Sequence, residues 1–161
     1  MKEKDVLDLL KKDGRLTAAE IARMLDADPA EVGGIVAELE SDGVIIGYRA
    51  VVDDSKIPDA KVKAIIEVKI RPAGAEGFDG VAMRLARFAE VEALYLVSGE
   101  YDLELEVHGD SLGDVAAFVS SKLATTEGVE ASATRFILKK YKESNRILAG
   151  GDDSGRLKVS P

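Results

Sequence analysis

The sequence predicts an α+β chain: an N-terminal winged helix-turn-helix followed by a ferredoxin-like βαββαβ sandwich. Three observations carry that prediction. Apolar residues fall at helical spacing through Leu39, punctuated by cap and stop signals. Beyond Lys61 the period becomes two, and the second half repeats one strand-helix-strand pattern.

In the first helix Val6, Leu9 and Leu10 follow helical spacing, and Asp13-Gly14 ends it. Thr17-Ala18-Ala19-Glu20 is a capping box, in which a hydroxyl and a carboxylate each satisfy a backbone N–H that the first turn leaves unpaired. It opens a second helix whose buried side is Ile21, Met24 and Leu25. Asp28-Pro29-Ala30-Glu31 opens the third, with Asp28 as N-cap, Pro29 at the first helical position and Glu31 at the reciprocal position. Val32, Ile35, Val36 and Leu39 form its apolar stripe, and Gly43 suits a left-handed stop. Only Asp26 and Ala27 separate helices two and three, which allows nothing but a sharp turn. Residues 44–52 then read as a wing strand, so the first domain is 1–52, and the polar, proline-containing stretch 53–60 is its linker.

The second domain, 61–148, contains a duplication. IIEVKI (65–70) resembles LELEVH (103–108), and FAEVEALYLV (88–97) resembles TEGVEASATR (126–135). An amphipathic stretch lies inside each repeat, marked by Val81, Leu85 and Phe88 in one and by Val115, Phe118, Val119 and Leu123 in the other. Alternation assigns Ala64, Ile66, Val68, Ile70, Leu103, Leu105 and Val107 to a buried face, against Lys63, Ile65, Glu67, Lys69, Glu104 and Glu106. Two helices cover one face of a four-stranded sheet. The other is expected to carry Ile65, Leu94, Leu96, Thr134 and Phe136 among charges, and to be buried in a dimer where Lys63 and Lys69 meet Glu104 and Glu106. The Gly-, Ser- and Pro-containing stretch 149–161 reads as a flexible tail.

Composition excludes several functions. With no Cys, the chain has no disulfide, thiolate nucleophile or Cys-based zinc site, and the single His108 argues against a His-rich metal centre. No apolar run spans a membrane and the start lacks the features of a secretion signal, so no membrane partner and a cytoplasmic location are expected. No nucleophile-base pair, P-loop or dinucleotide glycine motif is present. No catalytic residue, cofactor or metal is therefore assigned.

Charge complicates the helix-turn-helix. The net charge is −8, and residues 26–42 hold six acids (Asp26, Asp28, Glu31, Glu38, Glu40, Asp42) with no Lys or Arg. Double-stranded DNA is a line of phosphates, and a reading helix ordinarily brings cations to it. Gly33 and Gly34 lie between its apolar positions and offer nothing to a base edge, each costing about 1 kcal/mol against Ala inside a helix. The cations lie elsewhere, so phosphate contacts are assigned to Lys11, Lys12, Arg15, Arg23 and Arg49.

Taken together, VLDLLKKDGRLTAAEIARMLDADPAEVGGIVAELESDGVIIGYRAVVD and the later VEALYLVSGEYDLELEV resemble the Lrp/AsnC (feast/famine) transcriptional regulators over residues 1 to about 148. The resemblance implies dimers packed through their sheets, higher assemblies of dimers, and an amino acid or related small effector bound near the SGEYD turn. On matching positions, Ser98, Gly99, Tyr101 and Asp102 take the effector role, with Thr134 on the last strand. The chemistry suits it: Gly99 permits positive φ and close backbone approach, and Asp102 is an acceptor for an α-ammonium. The same residues also suit a plain tight hairpin. The reading is a transcriptional regulator that senses a small metabolite. Its alternative is an effector-sensing oligomer whose degenerate helix-turn-helix contacts protein rather than DNA. Sirohaem decarboxylase subunits share the two-domain plan, but their His and Arg motifs have no counterpart here, so no enzyme activity is expected.

Overall fold

The structure is a computed structural model that describes residues 3–71 and 77–148; the expected tail at 149–161 lies outside the described residues. The chain divides into two compact units that meet in sequence between Val51 and Val52.

Unit one is three helices, α1 (Glu3–Lys12), α2 (Ala18–Leu25) and α3 (Pro29–Ser41). The capping box at the start of α2 is complete. Thr17 Oγ1 accepts from the Glu20 N–H at 3.3 Å, and Glu20 Oε2 accepts from the Thr17 N–H at 2.8 Å. These bonds, the Thr17 backbone donor first, hold the Glu20 carboxyl below its ordinary value. Asp28 caps α3 by accepting from the N–H groups of Ala30 and Glu31 at 2.7 and 3.3 Å. Gly43 closes it at φ +70°, a conformation a side chain would oppose. Val6, Ile21, Ala22 and Val32 are fully buried between the helices. Met24, expected inside, is 58% exposed; the small Ala22 takes the interior position instead and lets α2 approach its neighbours closely.

The wing strand expected at 44–52 is not formed. A strand needs a neighbouring edge for its N–H and C=O groups, and no described segment pairs with this one. Ile46 accordingly stands 96% exposed. The expected linker is also more structured than a tether, since Asp54–Lys56 is a 3-10 turn that belongs to unit two.

Unit two is the predicted sandwich: β1 (Val62–Ile70), α4 (Gly77–Ala86), β2 (Val91–Leu96), β3 (Leu103–Gly109), α5 (Leu112–Phe118) with a π-helical turn at Val119–Leu123, and β4 (Val129–Phe136). The sheet order is β2-β3-β1-β4, antiparallel throughout, which is the ferredoxin-like arrangement. A two-stranded ribbon, β5 (Lys142–Glu143) and β6 (Arg146–Ile147), follows. The core is Ala64, Ile66, Val68 and Ile70 of β1 with Leu103, Leu105 and Val107 of β3, closed by Val81, Leu85, Val115, Phe118 and Leu123 from the helical side.

Register corrects the expected open face. Directly opposite residues share a face, and Leu94 lies opposite Leu105, Leu96 opposite Leu103, Thr134 opposite Ile66 and Phe136 opposite Ala64. All four therefore point to the helix-covered side, where Leu94 and Phe136 pack on the core. Leu96 is 66% exposed because it ends an edge strand. The open face instead carries Ile65 and Tyr95 among Lys63, Glu67, Lys69, Glu104, Glu106 and Arg135. Its lysines are engaged within the chain: Lys63 pairs with Asp54 and Glu92, and Lys69 donates to the Glu100 carbonyl.

Candidate functional site

In unit one, the cations assigned to phosphate contact are all exposed. Lys11 and Lys12 occupy the last turn of α1 and Arg23 the last turn of α2, where a positive charge also complements the helix dipole. Arg15 lies in the connection between them, its N–H donating to Asp13 Oδ1 at 3.0 Å and its guanidinium 3.4 Å from the same atom. Arg49 follows Tyr48, whose ring packs against the α1–α2 connection: a Cβ on Gly14 would lie 3.2 Å from Tyr48 Cδ1. Tyr48 thereby holds the segment that carries Arg49 against the connection at Gly14.

Tyr48 also explains one acid of α3. Its hydroxyl donates to Glu40 Oε1 at 2.9 Å. Desolvation, then this hydrogen bond to an anion, pushes the Tyr48 hydroxyl above its ordinary value. The residue-by-residue reading missed the pair, because Glu40 on a helix and Tyr48 beyond its end show no periodic relation. On α3 itself, Ala30, Glu31, Gly34, Ala37, Glu38 and Ser41 are exposed, and no Lys or Arg occurs in the helix.

In unit two, the turn from Val97 to Asp102 joins β2 to β3, and it brings together Ser98, Gly99, Tyr101 and Asp102. Val97 N–H donates to the Asp102 carbonyl at 2.9 Å, and Asp102 N–H to the Val68 carbonyl at 3.0 Å. Gly99 has φ +143° with nothing within 4 Å of where a Cβ would be, so its outer side is open. Asp102 Oδ2 accepts from the backbone N–H of Ile70 at 2.9 Å, and Lys69 Nζ donates to the Glu100 carbonyl at 2.6 Å. One Asp102 oxygen is thus already committed to the end of β1. Thr134 is not brought to this turn. It sits on β4, separated from β2 by both β1 and β3, on the helix-covered face. His108 is half-buried on β3 opposite Lys63, its N–H donating to the Glu90 carbonyl at 3.0 Å.

Residues 63–147 match the Lrp/AsnC ligand binding domain family, and residues 2–46 match a winged helix-turn-helix DNA-binding family. The uncharacterised HTH-type transcriptional regulator YugG of Bacillus subtilis is 44% identical, covering 99% of this chain and 97% of its own. An HTH-type regulator of Halobacterium salinarum is 32% identical over 87% of this chain and 96% of its own. Among solved structures, the leucine response regulatory protein of Mycobacterium tuberculosis superposes with a TM-score of 0.73 at 25% identity, over 91% of this chain and 97% of that one. A Neisseria meningitidis regulator solved as an L-Met complex superposes with a TM-score of 0.71 at 25% identity, covering 88% and 90%.

Proposed function

The chain belongs to the Lrp/AsnC family of transcriptional regulators, and from that premise we propose that it senses an amino acid or closely related metabolite and alters its hold on DNA in response. It pairs a helix-turn-helix with a ligand-binding domain, and its family consists of regulators rather than enzymes. The observation that carries the sensing reading is the Gly99 turn. Its positive φ and open outer side leave backbone groups approachable by a small zwitterion, and Asp102 supplies negative charge beside them. The Neisseria relative, solved with L-Met, supports the amino-acid class.

Phosphate contact is assigned to Lys11, Lys12, Arg15, Arg23 and Arg49, with α3 contributing shape rather than charge. A homodimer, and assemblies of dimers, are proposed through the open sheet face. Tyr95 and Ile65 offer apolar area there among charges of both signs, and oligomerisation multiplies weak DNA contacts. The test is retention of genomic fragments by the full chain, with and without a panel of amino acids, alongside sedimentation. Retained fragments whose affinity one amino acid shifts by roughly 5- to 150-fold, the usual range of allosteric coupling, support the reading. No retention at low salt would overturn it.

A further inference from the structure

The first feature of unit two is an ion cluster drawn from distant stretches of chain. Asp53 caps the 3-10 turn Asp54–Lys56, accepting from the Ser55 N–H at 3.1 Å and its hydroxyl at 2.6 Å. From that turn Asp54 Oδ2 lies 3.1 Å from Lys140 Nζ and 3.5 Å from Lys63 Nζ. Lys140 also reaches Glu143 of the terminal ribbon at 3.0 Å, and Lys63 reaches Glu92 at 3.8 Å. Burial alone would raise the Asp54 carboxyl, but the two ammonium groups outweigh it and hold the carboxyl below its ordinary value.

Isolated surface ion pairs contribute little, because water screens them and two long side chains must be ordered. This cluster differs. Asp54, Lys63 and Lys140 are only 20 to 26% exposed, one carboxylate oxygen serves two cations, and the partners belong to the connector, the sheet and the segment after β4. Asp54 also stands just beyond the junction of the two units at Val51 and Val52.

We infer that Asp54 and Lys140 are positioning residues for DNA recognition: they pin the chain arriving from the helix-turn-helix onto the ligand-binding domain. A connector without this anchor samples many paths, and each DNA contact must then bear the entropy of fixing it. An anchored connector has one point of departure, and a shift in β1 or in the ribbon is transmitted to it. This inference rests on the regulator reading above.

Asp54→Asn, Lys140→Met and the double variant test it in the full chain, with Lys140→Arg as the conservative control. Hydrogen exchange reads the anchor through the Lys56 and Ile57 N–H groups, which donate to the Asp53 and Asp54 carbonyls at 3.0 and 3.1 Å. Each single variant should exchange there at least about threefold faster, and the double by less than the product of the two single effects. Both changes break the shared Asp54–Lys140 pair, while each also loses a separate one, to Lys63 or to Glu143. Affinity for a genomic fragment that the wild type retains should fall in parallel, with Lys140→Arg restored and the Asp102 N–H exchanging as in wild type. Unchanged exchange, or faster exchange with wild-type DNA affinity, would overturn the inference alone. Wild-type protein that retains no fragment would overturn the regulator reading, and this inference with it.

Discussion

The carboxylate of Asp102 and the backbone N–H of Ile70 are hydrogen-bonded at 2.9 Å across a sequence separation of 32 residues. The bond ties the β2–β3 turn to the end of the central strand β1. An acid that the sequence offers as a ligand acceptor is therefore also a structural one, and any experiment on it must separate the two roles.

Asp102→Ala leaves the partly buried Ile70 N–H without its acceptor. A hydrogen bond to a charged group contributes about 1.5–3 kcal/mol, so urea unfolding should show a loss of that order with no effector present. Asp102→Asn keeps a carbonyl acceptor and removes the charge. It should retain most of the stability yet weaken effectors bearing an α-ammonium, measured by calorimetry. Equal stability of the Ala variant and wild type would contradict the structural role.

Gly99→Val places a Cβ where nothing lies within 4 Å, so the cost expected at that atom comes from φ +143° rather than from a clash. Backbone strain of this kind is worth roughly 1–3 kcal/mol. The expected result is a lowered unfolding midpoint and loss of effector binding, with sedimentation unchanged. An undisturbed calorimetric signal from a confirmed effector would make the turn a hairpin and nothing more.

Gly34→Ala should stabilise unit one. Gly34 is inside α3 and exposed, and a Cβ there touches nothing within 4 Å. The gain expected from helix propensity is about 1 kcal/mol, visible as a raised melting temperature. A decrease would mean that α3 meets something at this position that the single chain does not show.

How legible these features were depends on their range. Thr17 with Glu20 and Asp28 with Ala30 act within one turn, and sequence spacing alone identifies them. The buried faces of β1 and β3 were equally plain, since Val68 and Leu105 sit in long runs of strict alternation. Leu94, Leu96, Thr134 and Phe136 were assigned to the wrong face. Pairing shifts between Val91 and Ala93, and between Lys69 and Ile70, reset the edge strands in a way no single strand records. Asp102 with Ile70, Asp54 with Lys140 and Glu40 with Tyr48 are side-chain bonds between segments brought together by the fold, and spacing gave no hint of them.

The Asp54–Lys140 pair has a predictable pH window. The Asp54 carboxyl is held below its ordinary value, so its contribution is present above the unfolded value and is lost as pH falls through the folded one. For Lys140, desolvation alone would lower the ammonium, but hydrogen bonds to Glu143 and Asp54 outweigh it and raise the group. That contribution is present below the unfolded lysine value and is lost as pH rises through the folded one. The stability difference between wild type and Lys140→Met should be constant around neutrality and shrink in acid. A difference that grows in acid would contradict this assignment.

The acids of α3 divide by what they touch. Asp28 caps the helix, and Glu40 accepts the Tyr48 hydroxyl that holds the following segment against Gly14. Glu38 is exposed near the C-terminal end, where the helix dipole disfavours an anion, so helix stability does not explain it. Facing phosphate, it repels. Glu38→Gln should therefore raise nonspecific DNA affinity with little change in melting temperature. Glu40→Gln keeps an acceptor for Tyr48 and should raise affinity likewise, whereas Glu40→Ala also frees the Arg49 stretch and forfeits part of the gain. Arg23→Ala with Arg49→Ala should weaken binding on all sequences and reduce the steepness of its salt dependence, as loss of phosphate contacts requires. A salt series on these variants decides the matter. Glu38→Gln without effect at the lowest salt would place α3 away from the phosphates, and with it the assignment of this face to DNA would fail.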